Sequence, residues 1–220
     1  MRARSAAWSR AVVAVVALVV LGGTAACGGG SSSGKAAVRT ASSTTLHGAI
    51  PDSHAPKPSF QLLDTFGHPF DFAADTQGRV TLLYFGYTHC PDECPTAMAD
   101  VATALRHTDP AVAQRVDVVF VTTDPWRDDR KVLRKWLDRF STSFIGLTGT
   151  PSQIAGAEVA MGMPISKRQA APKKYGSGKY AVSHFAAVLA YGRDGRVATL
   201  YPSGITPAEI AADLPVLVKG

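Results

Sequence analysis

Two long, largely apolar runs, Arg79-Val80-Thr81-Leu82-Leu83-Tyr84-Phe85-Gly86 and Val116 to Thr123, constrain the fold of this chain more than any other feature. Both are rich in β-branched and aromatic residues, as expected of strands covered on both faces by other elements. Helical spacing follows each run. Met98, Val101, Ala102 and Leu105 recur within Thr96 to His107, behind Pro95. Val132, Leu133, Trp136, Leu137 and Phe140 share one face of Asp128 to Phe140, with Arg and Lys on the other. A strand, helix, strand, helix order with buried strands predicts a parallel βαβ unit.

The remaining segments extend that unit. Phe60 to Asp71 reads as a short hairpin around Gly67. Phe144 to Leu147 is a short strand and Pro151 to Met161 a small-residue helix. His184 to Tyr191 is a third strong strand, and Asp194-Gly195 turns it into a partner over Val197 to Tyr201. Pro207 to Val218 closes the chain as a helix, with Thr206 placed to cap it. The order resembles a thioredoxin-like α/β fold, a central mixed sheet flanked by helices. A Gly/Pro/Lys-rich insertion, Lys167 to Lys179, interrupts the pattern before the last hairpin.

The first 55 residues differ in character. Arg2, Arg4 and Arg10 precede an apolar run, Ala11 to Leu21, and small residues lead into Cys27. That layout describes a secretory signal, and the run falls short of the roughly 20 apolar residues of a membrane span. Ala25-Ala26-Cys27 resembles a bacterial lipobox, with Thr24 where an aliphatic residue is usual, so Cys27 is the expected lipidation site. Residues 28 to about 54 are Gly/Ser/Thr-rich and read as a flexible tether. The expected divisions are 1–26 signal, 27–55 tether and 56–220 one domain. Without the signal, 20 basic residues face 17 acids, so the charge drops from +6 to +3 and does not argue for nucleic acid.

Of the three cysteines, Cys90 and Cys94 remain for the domain, in an oxidising exported setting. A disulfide between them closes a very small loop worth roughly 2 kcal/mol, which a domain of this size scarcely needs, so the pair reads as chemical. It sits after the first buried strand and at a helix start, where ligands bind in open α/β sheets and where free N–H groups favour a thiolate. On one helical face, residues four apart lie about 5–6 Å apart, within reach of one soft metal ion.

Phe85-Gly86-Tyr87-Thr88-His89-Cys90-Pro91-Asp92-Glu93-Cys94-Pro95 and Thr122-Thr123-Asp124-Pro125-Trp126-Arg127-Asp128 closely resemble the signatures of the Sco/SenC family. The resemblance covers about residues 56 to 218. It implies a thioredoxin-like, membrane-tethered copper protein that helps mature the binuclear copper centre of cytochrome c oxidase. The implied ligands are Cys90, Cys94 and His184, and the implied partners are the copper-bearing oxidase subunit or another copper carrier. The implied place is the outer face of the cell membrane. Two thiolates and an imidazole suit copper, thiolate favouring the cuprous state, whereas a closed zinc site wants a fourth ligand. The spacing is one residue longer than the C-x-x-C redox motif, and Ser183, not Pro, precedes His184. Metal delivery leads over enzymatic chemistry. The alternative is a thiol–disulfide reductase that keeps the oxidase's copper-site cysteines reduced, through a Cys90–Cys94 redox disulfide. A peroxide-reducing enzyme would want one activated Cys near Arg and Thr, which the local sequence does not offer.

Other polar residues carry plainer expectations. His89 is left out of the ligand set. Asp124 either caps the turn before Pro125 or tunes the site. Met161 and Met163 are expected to fill the core, and His47 and His54 to be solvated within the tether. Lys167, Arg168, Lys173, Lys174 and Lys179 form either an acidic-partner contact or a solvated loop.

Overall fold

The computed structural model describes residues 46–49, 51, 53–170 and 180–220. The signal, Cys27, most of the tether, and Lys173, Lys174 and Lys179 lie outside these residues. The strands are β1 (Gln61–Asp64), β2 (Pro69–Asp71), β3 (Val80–Gly86), β4 (Val116–Thr122), β5 (Ile145–Thr148), β6 (Arg168–Ala170), β7 (Tyr180–Val182), β8 (Ala187–Tyr191) and β9 (Val197–Pro202). The helices are α1 (Phe72–Asp75), α2 (Glu93–His107), α3 (Pro110–Ala113), α4 (Arg130–Leu137), α5 (Pro151–Ala160) and α6 (Pro207–Lys219). Seven strands form one mixed sheet in the order β2-β1-β5-β4-β3-β8-β9, and β6 pairs with β7 separately.

The two apolar runs lie at the centre. β3 and β4 pair in parallel from Val80 opposite Val116 to Gly86 opposite Thr122, and every residue of β3 is buried. Alternation along β3 feeds two cores. Leu82 and Tyr84 face Met98 and Val101 of α2, Trp136 of α4 and Leu214 of α6. Leu83 and Phe85 face Phe72, Leu147, Ile154 and Tyr191 on the other side. At about 1.5–3 kcal/mol per large side chain buried, the central strands hold the sheet in register and so fix where their upper ends point.

Several boundaries differ from the sequence reading, each for a local reason. α2 begins at Glu93, three residues before the expected start, because Pro95 is tolerated within the first turn, where its missing N–H has no helical partner. α4 begins at Arg130, since Asp129 rather than Asp128 caps it by accepting from the Val132 N–H at 2.8 Å. His184 is not in a strand: the third run pairs only from Ala187, as β8, and residues 183–186 link it to β7, a separate short strand ahead of it. The insertion begins as paired structure, with Arg168 opposite Val182.

The expected tether also meets the domain before residue 55. Ala49 exchanges backbone hydrogen bonds with Leu200, at 2.7 and 3.0 Å, along the outer edge of β9. His47 is not merely solvated. Its ring Nδ1 lies 2.6 Å from the buried Asp213 carboxylate, which also accepts the His47 N–H and the Tyr201 hydroxyl. The His54 Nδ1 lies 2.8 Å from the Val197 carbonyl. Sequence separation concealed these partners.

Candidate metal centre

The site grows from the upper end of β3. Gly86 ends the strand, and a Cβ there would lie 2.8 Å from the Cys94 sulfur and 2.7 Å from the Tyr84 ring, so a hydrogen is what the position accepts. The loop from Tyr87 to Asp92 then turns into α2. Asp92 offers no side-chain cap; instead the Cys94 N–H donates to the Cys90 sulfur at 3.4 Å. Cys90 thus takes the place of a capping oxygen, and negative charge on it meets free N–H groups at the helix start. Cys94, in the first turn, is fully buried, and both cysteines are free thiols.

Two buried carboxylates hold the surrounding loops. Asp128 accepts from the Thr88 N–H at 2.8 Å, the Thr88 hydroxyl at 2.6 Å and the Thr122 hydroxyl at 2.8 Å, which ties the cysteine loop to the end of β4. Asp124 accepts from the Tyr180 hydroxyl at 2.9 Å and from the Arg127 guanidinium. Arg127 in turn stacks on the Tyr180 ring, 3.6 Å from its centroid, and donates to the Tyr180 carbonyl. Asp124 therefore does more than cap a turn, since it positions the strand that leads to His184. The sequence assigns no role at the site to Asp128, Arg127, Tyr84 or Tyr87, although all four lie in or beside its quoted motifs.

The fold brings Cys90, Cys94 and His184 together from a loop, a helix and a connection between strands. Their ligand atoms all lie within 4.8 Å of one another, and His184 Nε2 is 3.5 Å from the Cys94 sulfur and 4.0 Å from that of Cys90. With metal bonds of about 2.0–2.3 Å, two ligands of one trigonal or tetrahedral ion sit roughly 3.5–4 Å apart. The donor set therefore fits a single soft ion. Edge-on packing of His184 against Tyr84 and Tyr87, with centroids 5.9 and 5.6 Å away, aims the ring. Its buried Nδ1 has no hydrogen-bond partner among the described residues; a ring that ligates through Nε2 carries its proton there.

The two sulfurs are unlike. The Cys94 thiol, His184 and the N–H groups of Asp92 and Cys94 stabilise a Cys90 thiolate against the cost of burial, holding its pKa well below the usual thiol value. Burial first, and then the hydrogen bond and charge of the neighbouring Cys90, push Cys94 the other way. The free protein thus pairs a poised thiolate with a buried thiol that must lose its proton to bind metal. His89, half exposed, lies 3.0 Å from the Thr88 hydroxyl and 3.5 Å from Asp128 and is not among the three grouped ligands. Met161 and Met163 pack against the second core.

A mixed sheet with a dithiol at a helix start, and an imidazole brought to it by a late strand connection, defines a thioredoxin-like protein with three soft-metal donors grouped at one corner. The SCO1/SenC family model matches residues 49–219, and the chain belongs to that family. The structure of Bradyrhizobium japonicum ScoI with copper bound is 33% identical, with a TM-score of 0.63, and the match covers 74% of this chain and 99% of that one. The solution structure of apo Sco1 from Thermus thermophilus is 33% identical, with a TM-score of 0.67, covering 79% and 97%. The mouse mitochondrial SCO2 homologue is 35% identical over 144 residues, which is 64% of this chain and 54% of that protein. Matches to the first three curated relatives span between 46% and 65% of their length.

Proposed function

We propose that this protein binds one copper ion through Cys90, Cys94 and His184 and delivers it during assembly of cytochrome c oxidase, from a lipid anchor at Cys27 on the outer face of the membrane. The observation that carries the reading is the convergence of two sulfurs and one imidazole nitrogen within 4.8 Å. Copper is cargo here, so the site has to bind and also release. Cys90 would be the entry ligand, because it is already a thiolate and retains 8% of its surface, whereas Cys94 is fully enclosed. His184 lies on an irregular connection, which can move with less disruption than a strand or helix.

A second reading, reduction of the oxidase's copper-site cysteines, draws support from the unlike sulfurs, since a low-pKa thiolate beside a protonated thiol is the arrangement that disulfide exchange uses. His184→Ala separates the two. For delivery, the variant should bind cuprous ion at least about tenfold more weakly, a loss of roughly 1.4 kcal/mol, and fail to support oxidase maturation, while reducing a test disulfide at nearly the normal rate. A variant with normal copper affinity and full oxidase activity would overturn delivery.

A further inference from the structure

A ladder of alternating rings and guanidinium groups runs from His184 to the surface. Tyr87 packs edge-on against His184, and the Arg127 guanidinium lies 5.7 Å from the Tyr87 ring and 3.6 Å from that of Tyr180. Arg168 lies 5.5 Å from the Tyr180 ring and 4.3 Å from that of Trp126. The inner rungs are clamped, because Asp124 holds both Arg127 and Tyr180. The outer rung is open to solvent: Trp126 is 53% exposed, and Arg168 and its neighbour Lys167 are exposed.

Neither Arg168 nor Lys167 has a carboxylate partner among the described residues. In the three segments that build this face, 124–128, 165–170 and 180–185, the only acids are Asp124 and Asp128, and both are fully buried. The Trp126–Arg168 end of the face is therefore positive, whereas the cysteine loop carries the exposed Asp92 and Glu93. A guanidinium stacked on an indole has its flat side covered and its edge donors free, the geometry that takes a carboxylate with two parallel hydrogen bonds. Tryptophan and arginine are also the residues on which interface energy concentrates.

Resting on the delivery reading, we infer that Trp126 and Arg168, with Lys167, form the docking surface for an acidic patch on the protein with which the metal is exchanged. Position supports this occupant. An ion can pass only to ligands that reach Cys90 and His184, so the partner has to cover the ground beside them, where Phe185 is 37% exposed next to His184. Docking there also bears on the ligand itself. Arg168 pairs with Val182, and the next residue, Ser183, donates its N–H to the Lys167 carbonyl at 2.9 Å directly before His184. A partner that draws Arg168 off Trp126 and Tyr180 pulls on the strand that holds His184 in place.

The test uses the mature protein loaded with one equivalent of cuprous ion and the soluble copper-accepting domain of the oxidase subunit. Complex affinity and transfer rate are measured at low and high salt for wild type, Trp126→Ala and Arg168→Glu. Each substitution should weaken the complex about tenfold or more, in line with loss of one interface anchor, and slow transfer in proportion. Copper affinity from chelator competition should stay within about twofold, and Arg168→Glu should flatten the salt dependence. Variants that bind and transfer like wild type overturn the surface and leave delivery standing. A wild type that binds but passes no copper, with binding weakened by both substitutions, keeps the surface and overturns delivery. A wild type that neither binds nor transfers overturns both.

Discussion

Adding one methyl group at Gly86 should weaken the proposed metal site without replacing a ligand. The glycine is not required by backbone conformation, because Gly86 is absent from the positive-φ glycines Gly67, Gly78, Gly162, Gly195 and Gly204. It is required by space: an alanine Cβ would lie 2.7 Å from the Tyr84 ring, 2.8 Å from the Cys94 sulfur and 3.1 Å from the Phe120 ring. All three neighbours are at most 1% exposed, so none can swing into solvent. The sulfur would have to retreat to the roughly 3.4 Å of an ordinary contact, beyond the ~0.5 Å tolerance within which a binding constellation works. Overpacking of this kind costs about 1–3 kcal/mol of stability. Gly86→Ala is therefore expected to lower the urea unfolding midpoint and to weaken cuprous binding about tenfold or more. Gly78→Ala provides the contrast. Its Cβ meets nothing within 4 Å but its φ is +71°, so it should lose roughly 1–2 kcal/mol through backbone strain and keep copper affinity. Wild-type affinity in Gly86→Ala, with Gly78→Ala equally stable, would refute the steric account.

Copper binding should be proton-linked: at neutral pH Cys90 is already a thiolate and Cys94 is not, so loading releases about one proton and affinity rises up to tenfold per pH unit. A chelator titration across pH with a flat response would contradict this. Cys27→Ser should shift the protein from the membrane to the soluble fraction or block its processing, as fractionation and intact-mass measurement would reveal. His47 is raised above its ordinary pKa first by its hydrogen bond to Asp213 and then by that group's charge. Its charged clasp should thus stabilise the fold fully below the unfolded pKa of about 6.5 and fade as pH rises through the higher folded value. Thermal melts of wild type and His47→Gln should converge at high pH, and a constant gap would rule this out.

The sequence made the centre of the molecule legible and its contacts at long range much less so. The runs that became β3 and β4 are apolar apart from Thr81, Asp117 and the closing Thr122, so their burial could be read directly, and the cysteine loop had to follow the first of them. The late start of the third strand, at Ala187 and not His184, could not be read in the same way. Val182 and Ala187 both look strand-like, and it is pairing with Arg168 and Lys167 that takes the chain out of the main sheet around His184. Asp128 looked like a helix start because Asp is common there; its partners Thr88 and Thr122 identify it as the anchor of the loop. His47 and Asp213 stand 166 residues apart, and no local pattern connects them.

The segment that docks beside β9 also protects the rest of the molecule from its own kind. Ala49 and Ala55 occupy backbone groups of Leu200 and Val197, and the Lys57 N–H donates to the Gly195 carbonyl, so the last strand of the sheet presents few open hydrogen-bonding positions there. An uncovered strand is a template for pairing with another chain. A fragment that starts at Pro56 would lay that template bare, whereas one that retains Leu46 onward would keep it covered, a difference that sedimentation at rising concentration would register as self-association. If the proposed lipid anchor at Cys27 holds, copies would be confined to a plane and crowded side by side. The stretch from Leu46 to Lys57 would then serve as the guard that keeps neighbours from joining sheet to sheet.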